Sequence, residues 1–122
     1  MHLLHHAFRL YIEPSELEAT VAFYEQLQDK KCERRLSFAE RGIEVAVVGA
    51  FVLLAGSEAA LAPVRTSTAL LMVDSLDETL DWLRTQGTTV IHEPQQAPEG
   101  RNATVRHRDG LVVEYYQATT AT

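Results

Sequence analysis

AFRLYIEPSELEATVAFY (residues 7–24) and TALLMVDSLDETLDWL (residues 68–83) read as two copies of one strand–helix unit, and that reading decides the fold. In the first copy residues 5–12 form a strand, with Phe8, Leu10 and Ile12 alternating with Ala7, Arg9 and Tyr11. Pro14 ends it. Leu17, Val21, Tyr24 and Leu27 then recur at helical spacing behind Ser15 and Glu18, which are placed as a capping box. In the second copy residues 68–73 are the β-rich run and Ser75 with Glu78 the capping box. Leu76, Leu80 and Leu83 are the helical stripe, running on to Gly87 as the residue that closes the helix. Leu10 matches Leu71, and Ile12-Glu13 matches Val73-Asp74. With two extra residues in the first strand–helix loop, Leu17, Thr20, Val21, Phe23 and Tyr24 fall on Leu76, Thr79, Leu80, Trp82 and Leu83.

Three strands follow each helix. In the first half they are residues 31–39, 43–48 and 51–55, turning at Gly42 and at Gly49-Ala50. In the second they are residues 88–92, 101–108 and 111–117, with a polar loop at 94–100 that could lie over a site. Phe51-Val52-Leu53-Leu54 matches Leu111-Val112-Val113-Glu114. The expected fold is α+β: one domain over residues 1–122, with βαβββ modules at about 5–56 and 66–117. Their curved mixed sheet would form an open barrel around a pocket.

Composition narrows the function. A chain of 122 residues with 46% hydrophobic and 23% charged residues builds one real core. A net charge of −6 argues against nucleic acid as partner, because such binding needs a basic face. It also favours a cationic ligand through steering. No apolar run approaches the ~20 residues of a membrane span. Residues 1–6 lack the basic and long apolar regions of a signal peptide. Cys32 is the only cysteine, which points to a reducing, cytoplasmic setting. It has no identifiable histidine partner, no Ser-His-Asp arrangement can be placed, and phosphate-binding glycine loops are missing.

The helix ending Val21-Ala22-Phe23-Tyr24, the run Leu71-Met72-Val73-Asp74-Ser75-Leu76-Asp77 and the turn Asp109-Gly110 leading to Glu114 resemble the vicinal oxygen chelate superfamily of glyoxalases, bleomycin-resistance proteins and extradiol dioxygenases. The resemblance covers about residues 5–117, although the proline usual before the last turn is missing. It implies a homodimer and a small-molecule pocket. Metal-dependent members hold a divalent ion with His, Glu or Gln at four strand positions, which fall here on Ala7, Leu54, Thr68 and Glu114. Only Glu114 is a good ligand, so no metal or other cofactor is expected. A shifted register would recruit His5 or His6 beside Glu114 for Ni, Mn, Fe or Zn. His92 and His107 read as surface residues.

Strand alternation then assigns the pocket: Arg9, Tyr11, Val52, Leu54, Leu70, Met72, Val112, Glu114 and Tyr116, with Thr68 at the fifth-strand position and Phe38 as a stacking residue. Arg9 is the candidate partner that would hold Glu114 ionised. Tyr115 and Trp82 are expected to pack between helix and sheet. Two functions follow. One is a metal-free protein that binds an antibiotic or an aromatic or cationic metabolite, as antibiotic-resistance members of the superfamily do. The other is a lyase, isomerase or dioxygenase that uses Glu114 as metal ligand or general base.

Overall fold

The structure is a computed structural model and describes residues 1–119. The described chain forms two compact units, residues 7–66 and residues 1–6 together with residues 67–119. Each is a βαβββ module, and the fold class is α+β.

The first unit holds the later part of β1 (Leu3–Ile12), then α1 (Leu17–Gln28), β2 (Arg34–Phe38), β3 (Ile43–Val48), β4 (Phe51–Ala55) and the single-turn α2 (Glu58–Leu61). Its strands lie in the order β2-β3-β4-β1. β1 runs parallel to β4 and the other pairs are antiparallel. A parallel pair needs a crossover, and α1 supplies it. Leu17 and Val21 of α1 bury against Ala46, Val48, Leu53 and Ala55 on one face of the sheet.

The start of α1 corrects the expected capping box. Pro14 opens a 3₁₀ turn over Pro14–Glu16 in which the Glu16 N–H donates to the Glu13 carbonyl at 2.9 Å, and no side chain caps α1. Ser15 lies inside that turn and so misses the extended conformation an N-cap requires. Leu27 is 62% exposed, so the apolar stripe ends a turn earlier than its spacing suggests. Residues 31–33 precede β2, and Ala39–Arg41 form a second 3₁₀ turn instead of continuing the strand.

One residue that the periodicity did not single out fastens α1 to the sheet. Gln28 donates to the carbonyls of Tyr24 and Val48 at 3.0 and 2.9 Å, and accepts the Ala50 N–H at 2.8 Å. Gly49 at the same turn has φ +56°, and a Cβ there would collide with the Gln28 carboxamide.

The second unit holds β5 (Ala69–Val73), α3 (Leu76–Arg84), β6 (Thr89–Ala97), β7 (Gly100–Arg106) and β8 (Val112–Ala118). The order is β5-β8-β7-β6, with β5 parallel to β8 and the first residues of β1 beside β5. Leu76, Leu80 and Leu83 pack on Val73, Ala103, Val105, Val113 and Tyr115, again on one face. Here the cap forms as read: Ser75 Oγ accepts the Glu78 N–H at 3.2 Å. The Leu76 N–H is taken by Gln117 Oε1 at 2.6 Å. Trp82, expected to pack between helix and sheet, is 49% exposed. It lies about 200° around the helix from Leu80 and so points away from the sheet.

The expected loop at 94–100 is a hairpin. Gln95 pairs with Asn102, Gln96 with Arg101 and Ala97 with Gly100, leaving only Pro98-Glu99 at the tip. The ladder shifts register between Val90 and Gln95, around Pro94, which has no N–H to donate. Among the described residues no helix is long and apolar enough to cross a membrane.

Candidate functional site

Each helix covers one face of its sheet, and the other face carries a second set of side chains, part aliphatic and buried, part charged or aromatic. In the first unit that face holds Arg9 and Tyr11 on β1, Val52 and Leu54 on β4, Val45 on β3 and Phe38 on β2. Val45, Val52 and Leu54 are buried, while Arg9, Tyr11 and Phe38 are half-buried. Tyr11 is fastened rather than idle. Its hydroxyl donates to the Val64 carbonyl at 2.7 Å. The Arg9 and Arg65 guanidinium carbons lie 5.7 and 5.4 Å from its ring centroid, within cation–π range. Beside it opens a cleft of about 470 Å³ lined by Tyr11, Glu13, Ser15, Ser57, Glu58 and Arg65 among others.

The second unit presents Leu70 and Met72 on β5, Asn102 and Thr104 on β7, and Val112, Glu114 and Tyr116 on β8. Glu114 is in register with Leu70 on one side and Thr104 on the other, and Tyr116 with Met72 and Asn102. Asn102 Nδ2 donates to Glu114 Oε2 at 3.1 Å. The Tyr116 hydroxyl donates to the Pro98 carbonyl at 2.8 Å, across the hairpin tip. That path runs over Gly100, where a Cβ would strike the Tyr116 ring and the Gln117 carbonyl. Thr68 is exposed, its N–H bonded to the Val112 carbonyl at 3.2 Å. Asn102 and Gly100 were not singled out by the sequence. Extending the same alternation to β7 would have put both beside Glu114 and Tyr116.

The register corrects one metal position. Arg9 pairs with Val52, whereas its repeat counterpart Leu70 pairs with Glu114. Val52, not Leu54, is therefore the first-module equivalent of Glu114. The slip arises because the β3–β4 turn is Gly49-Ala50 alone, whereas residues 107–111 separate β7 from β8. Ala7 is 4% exposed. His5 and His6 are exposed, their rings 6.2 Å apart. His92 is exposed as expected, but His107 is half-buried and its Nε2 lies 2.6 Å from the Tyr115 hydroxyl. Tyr115 packs beneath α3, and burial pushes its phenol up to about 12. Cys32 is a half-buried free thiol ahead of β2.

Among the described residues no three His, Cys, Asp or Glu side chains come together to hold a metal. Glu114 has an amide, a hydroxyl and an aliphatic chain as its sheet neighbours, a donor set that does not fit a divalent ion needing several carboxylate or imidazole ligands.

Neither a protein-family model nor a curated protein sequence matches the chain. Solved structures do. An uncharacterized protein from Methanosarcina mazei is 38% identical over 100% of this chain and 98% of its own, with a TM-score of 0.89. Methylmalonyl-CoA epimerase from Mycobacterium tuberculosis is 16% identical over 97% of this chain and 88% of its own, at a TM-score of 0.70. A Streptomyces coelicolor methylmalonyl-CoA epimerase variant in complex with 2-nitronate-propionyl-CoA is 17% identical over 98% of this chain and 96% of its own, at 0.64. At those identities the epimerases share the fold alone. The chain belongs to the family of the Methanosarcina mazei protein, built on the fold that methylmalonyl-CoA epimerases also use.

Proposed function

We propose that this protein is a member of the vicinal oxygen chelate superfamily that binds a small molecule without a metal ion, on the helix-free faces of its modules. The ligand is an antibiotic or an aromatic or cationic metabolite. One observation carries the reading: the helix-free faces hold charged and aromatic groups, Arg9 and Tyr11 in the first module and Glu114 and Tyr116 in the second, beside buried aliphatic side chains. We assign ligand contact to Arg9, Tyr11, Phe38 and Leu54 of the first module, and to Thr68, Leu70, Met72, Val112, Glu114 and Tyr116 of the second. The protein works as a homodimer in the cytoplasm, consistent with its single free thiol.

The test begins with calorimetric titration of chelator-treated protein with Ni²⁺, Mn²⁺, Fe²⁺ and Zn²⁺ under reducing, anaerobic conditions. The expected result is no stoichiometric binding. A thermal-shift screen of aromatic and cationic compounds follows, in which a ligand at a hundredfold excess over its Kd adds about 2.7 kcal/mol of stability. Glu114→Gln is expected to abolish that shift. Tight metal binding at one site per chain, lost in Glu114→Ala, would replace this reading with a second one. In that reading the protein is a divalent-metal lyase, isomerase or dioxygenase, and the shared fold of the epimerases, one of them solved with a CoA derivative, makes an acyl-CoA the first substrate to try.

A further inference from the structure

Asn102 sits on the β7 row that faces away from α3, two positions along from Thr104, which is the register partner of Glu114. A carboxylate only accepts hydrogen bonds, so the amide must turn its NH₂ group toward Glu114, as it does at 3.1 Å. That contact fixes the other end. The carbonyl oxygen Oδ1 of Asn102 is then buried and meets no donor among the described residues. Buried polar atoms are almost always paired, and an acceptor left without a donor bears the full cost of its desolvation. Nothing in the core needs an amide here: Leu or Met would fill the same row. What the amide supplies is a second acceptor next to a carboxylate, on the face assigned to the ligand.

The geometry points to Asn102 as a specificity-determining residue whose carbonyl oxygen accepts a hydrogen bond from the ligand, so the site takes molecules that present an N–H or O–H donor there, an ammonium or primary amide above all. This rests on the small-molecule reading above and narrows it. A site built to accept a donor discriminates strongly against an analogue that lacks one, because the acceptors stay buried and unmatched. Bare carboxylate ligands are excluded twice, by the absence of a donor and by the charge of Glu114.

The experiment uses three matched fragments: phenethylammonium, phenylacetamide and phenylacetate. Each is titrated at millimolar concentration into the uniformly ¹⁵N,¹³C-labelled full chain, with side-chain signals of Asn102, Met72, Leu70 and Tyr116 followed by NMR. The expected result is that the ammonium and the amide shift the Asn102 side-chain signals while phenylacetate does not. In Asn102→Leu the ammonium is expected to bind about tenfold or more weakly, the loss of a charge-assisted hydrogen bond. Shifts at Met72, Leu70 and Tyr116 with Asn102 unmoved would overturn the role of Asn102 and leave the pocket standing. Equal response to phenylacetate would overturn it too. No shift at any of the four would overturn the pocket itself. The wild-type titration decides these outcomes even if the variant does not fold.

Discussion

Replacing Tyr11 with Phe removes one oxygen atom and separates two roles for that residue. The lost bond, from the hydroxyl to the Val64 carbonyl at 2.7 Å, ties the stretch after α2 to β1. The phenyl ring that remains can still lie between Arg9 and Arg65, so the variant isolates the hydrogen bond. A neutral bond of this kind contributes about 1 kcal/mol net, which is about a fivefold change in the population of the opened segment. Arg65 is exposed and is a trypsin site in that segment, held otherwise by turn bonds from the N–H groups of Val64 and Arg65 to the Leu61 carbonyl at 3.0 and 2.9 Å. When reclosing is fast, cleavage follows the open population. Release of the fragment ending at Arg65, followed by mass spectrometry, should therefore be about fivefold faster in Tyr11→Phe. Tyr11→Leu also removes both cation–π contacts, worth ~0.5–1 kcal/mol each at an exposed site, and brings the total change to about 2–3 kcal/mol, or roughly 30- to 160-fold. If Tyr11→Phe is cut no faster than the wild type, the hydroxyl does not hold this segment, and Tyr11 is kept for another reason.

Gln28→Ala deletes three hydrogen bonds, two of them between α1 and the β3–β4 turn, and should lower stability by about 2–3 kcal/mol in urea titrations, whereas Gln26→Ala on the exposed side should change little. Gly100→Ala places a methyl group against the Gln117 carbonyl and the Tyr116 ring. It should cost about 1–3 kcal/mol and displace the Tyr116 resonance by NMR. Tyr115 gives a pH dependence of definite sign. Its phenol titrates at about 12 in the folded chain against 10.0 ordinarily, so the neutral form is favoured by folding. That stability is complete below pH 10 and is lost as pH rises toward 12, up to about 2.7 kcal/mol. Tyr115→Phe should flatten urea midpoints across that range, and phenolate absorbance should show the late-titrating group disappear. If wild type and variant lose stability alike, some other group governs alkaline unfolding.

The repeat was legible because each copy writes both periods clearly. Leu10 and Ile12, like Leu71 and Val73, point to a helix whose stripe begins at Leu17 or Leu76. Alternation also placed Arg9 with Tyr11, and Glu114 with Tyr116, on the faces their helices leave uncovered. What failed depended on geometry beyond a few residues. Ser15 looks like a cap until Pro14 draws it into a 3₁₀ turn. Residues 94–100 look like a loop because Pro94 and Pro98 hide a ladder carried by Gln95, Gln96 and Ala97. Val52 was passed over for Leu54 because two hairpins of unequal turn length cannot be aligned by counting. Asn102 could be placed by extending the alternation to β7, but nothing in its neighbours predicts which of its amide atoms will be left without a mate.

β1 has a divided allegiance: residues 3–6 group with the second unit and residues 7–12 with the first. The His2 N–H donates to Asp74 Oδ1 at 2.8 Å, and the Asp74 N–H donates back to the His2 carbonyl at 3.1 Å. A gene cut at the junction after Thr66 would thus not yield two self-sufficient proteins, because the downstream piece leaves its outermost strand on the upstream one. Expressed alone, the downstream piece should stay poorly folded. Mixed, the two should reassemble in trans, with the N-terminal hexapeptide as the part of the upstream piece on which the downstream one depends.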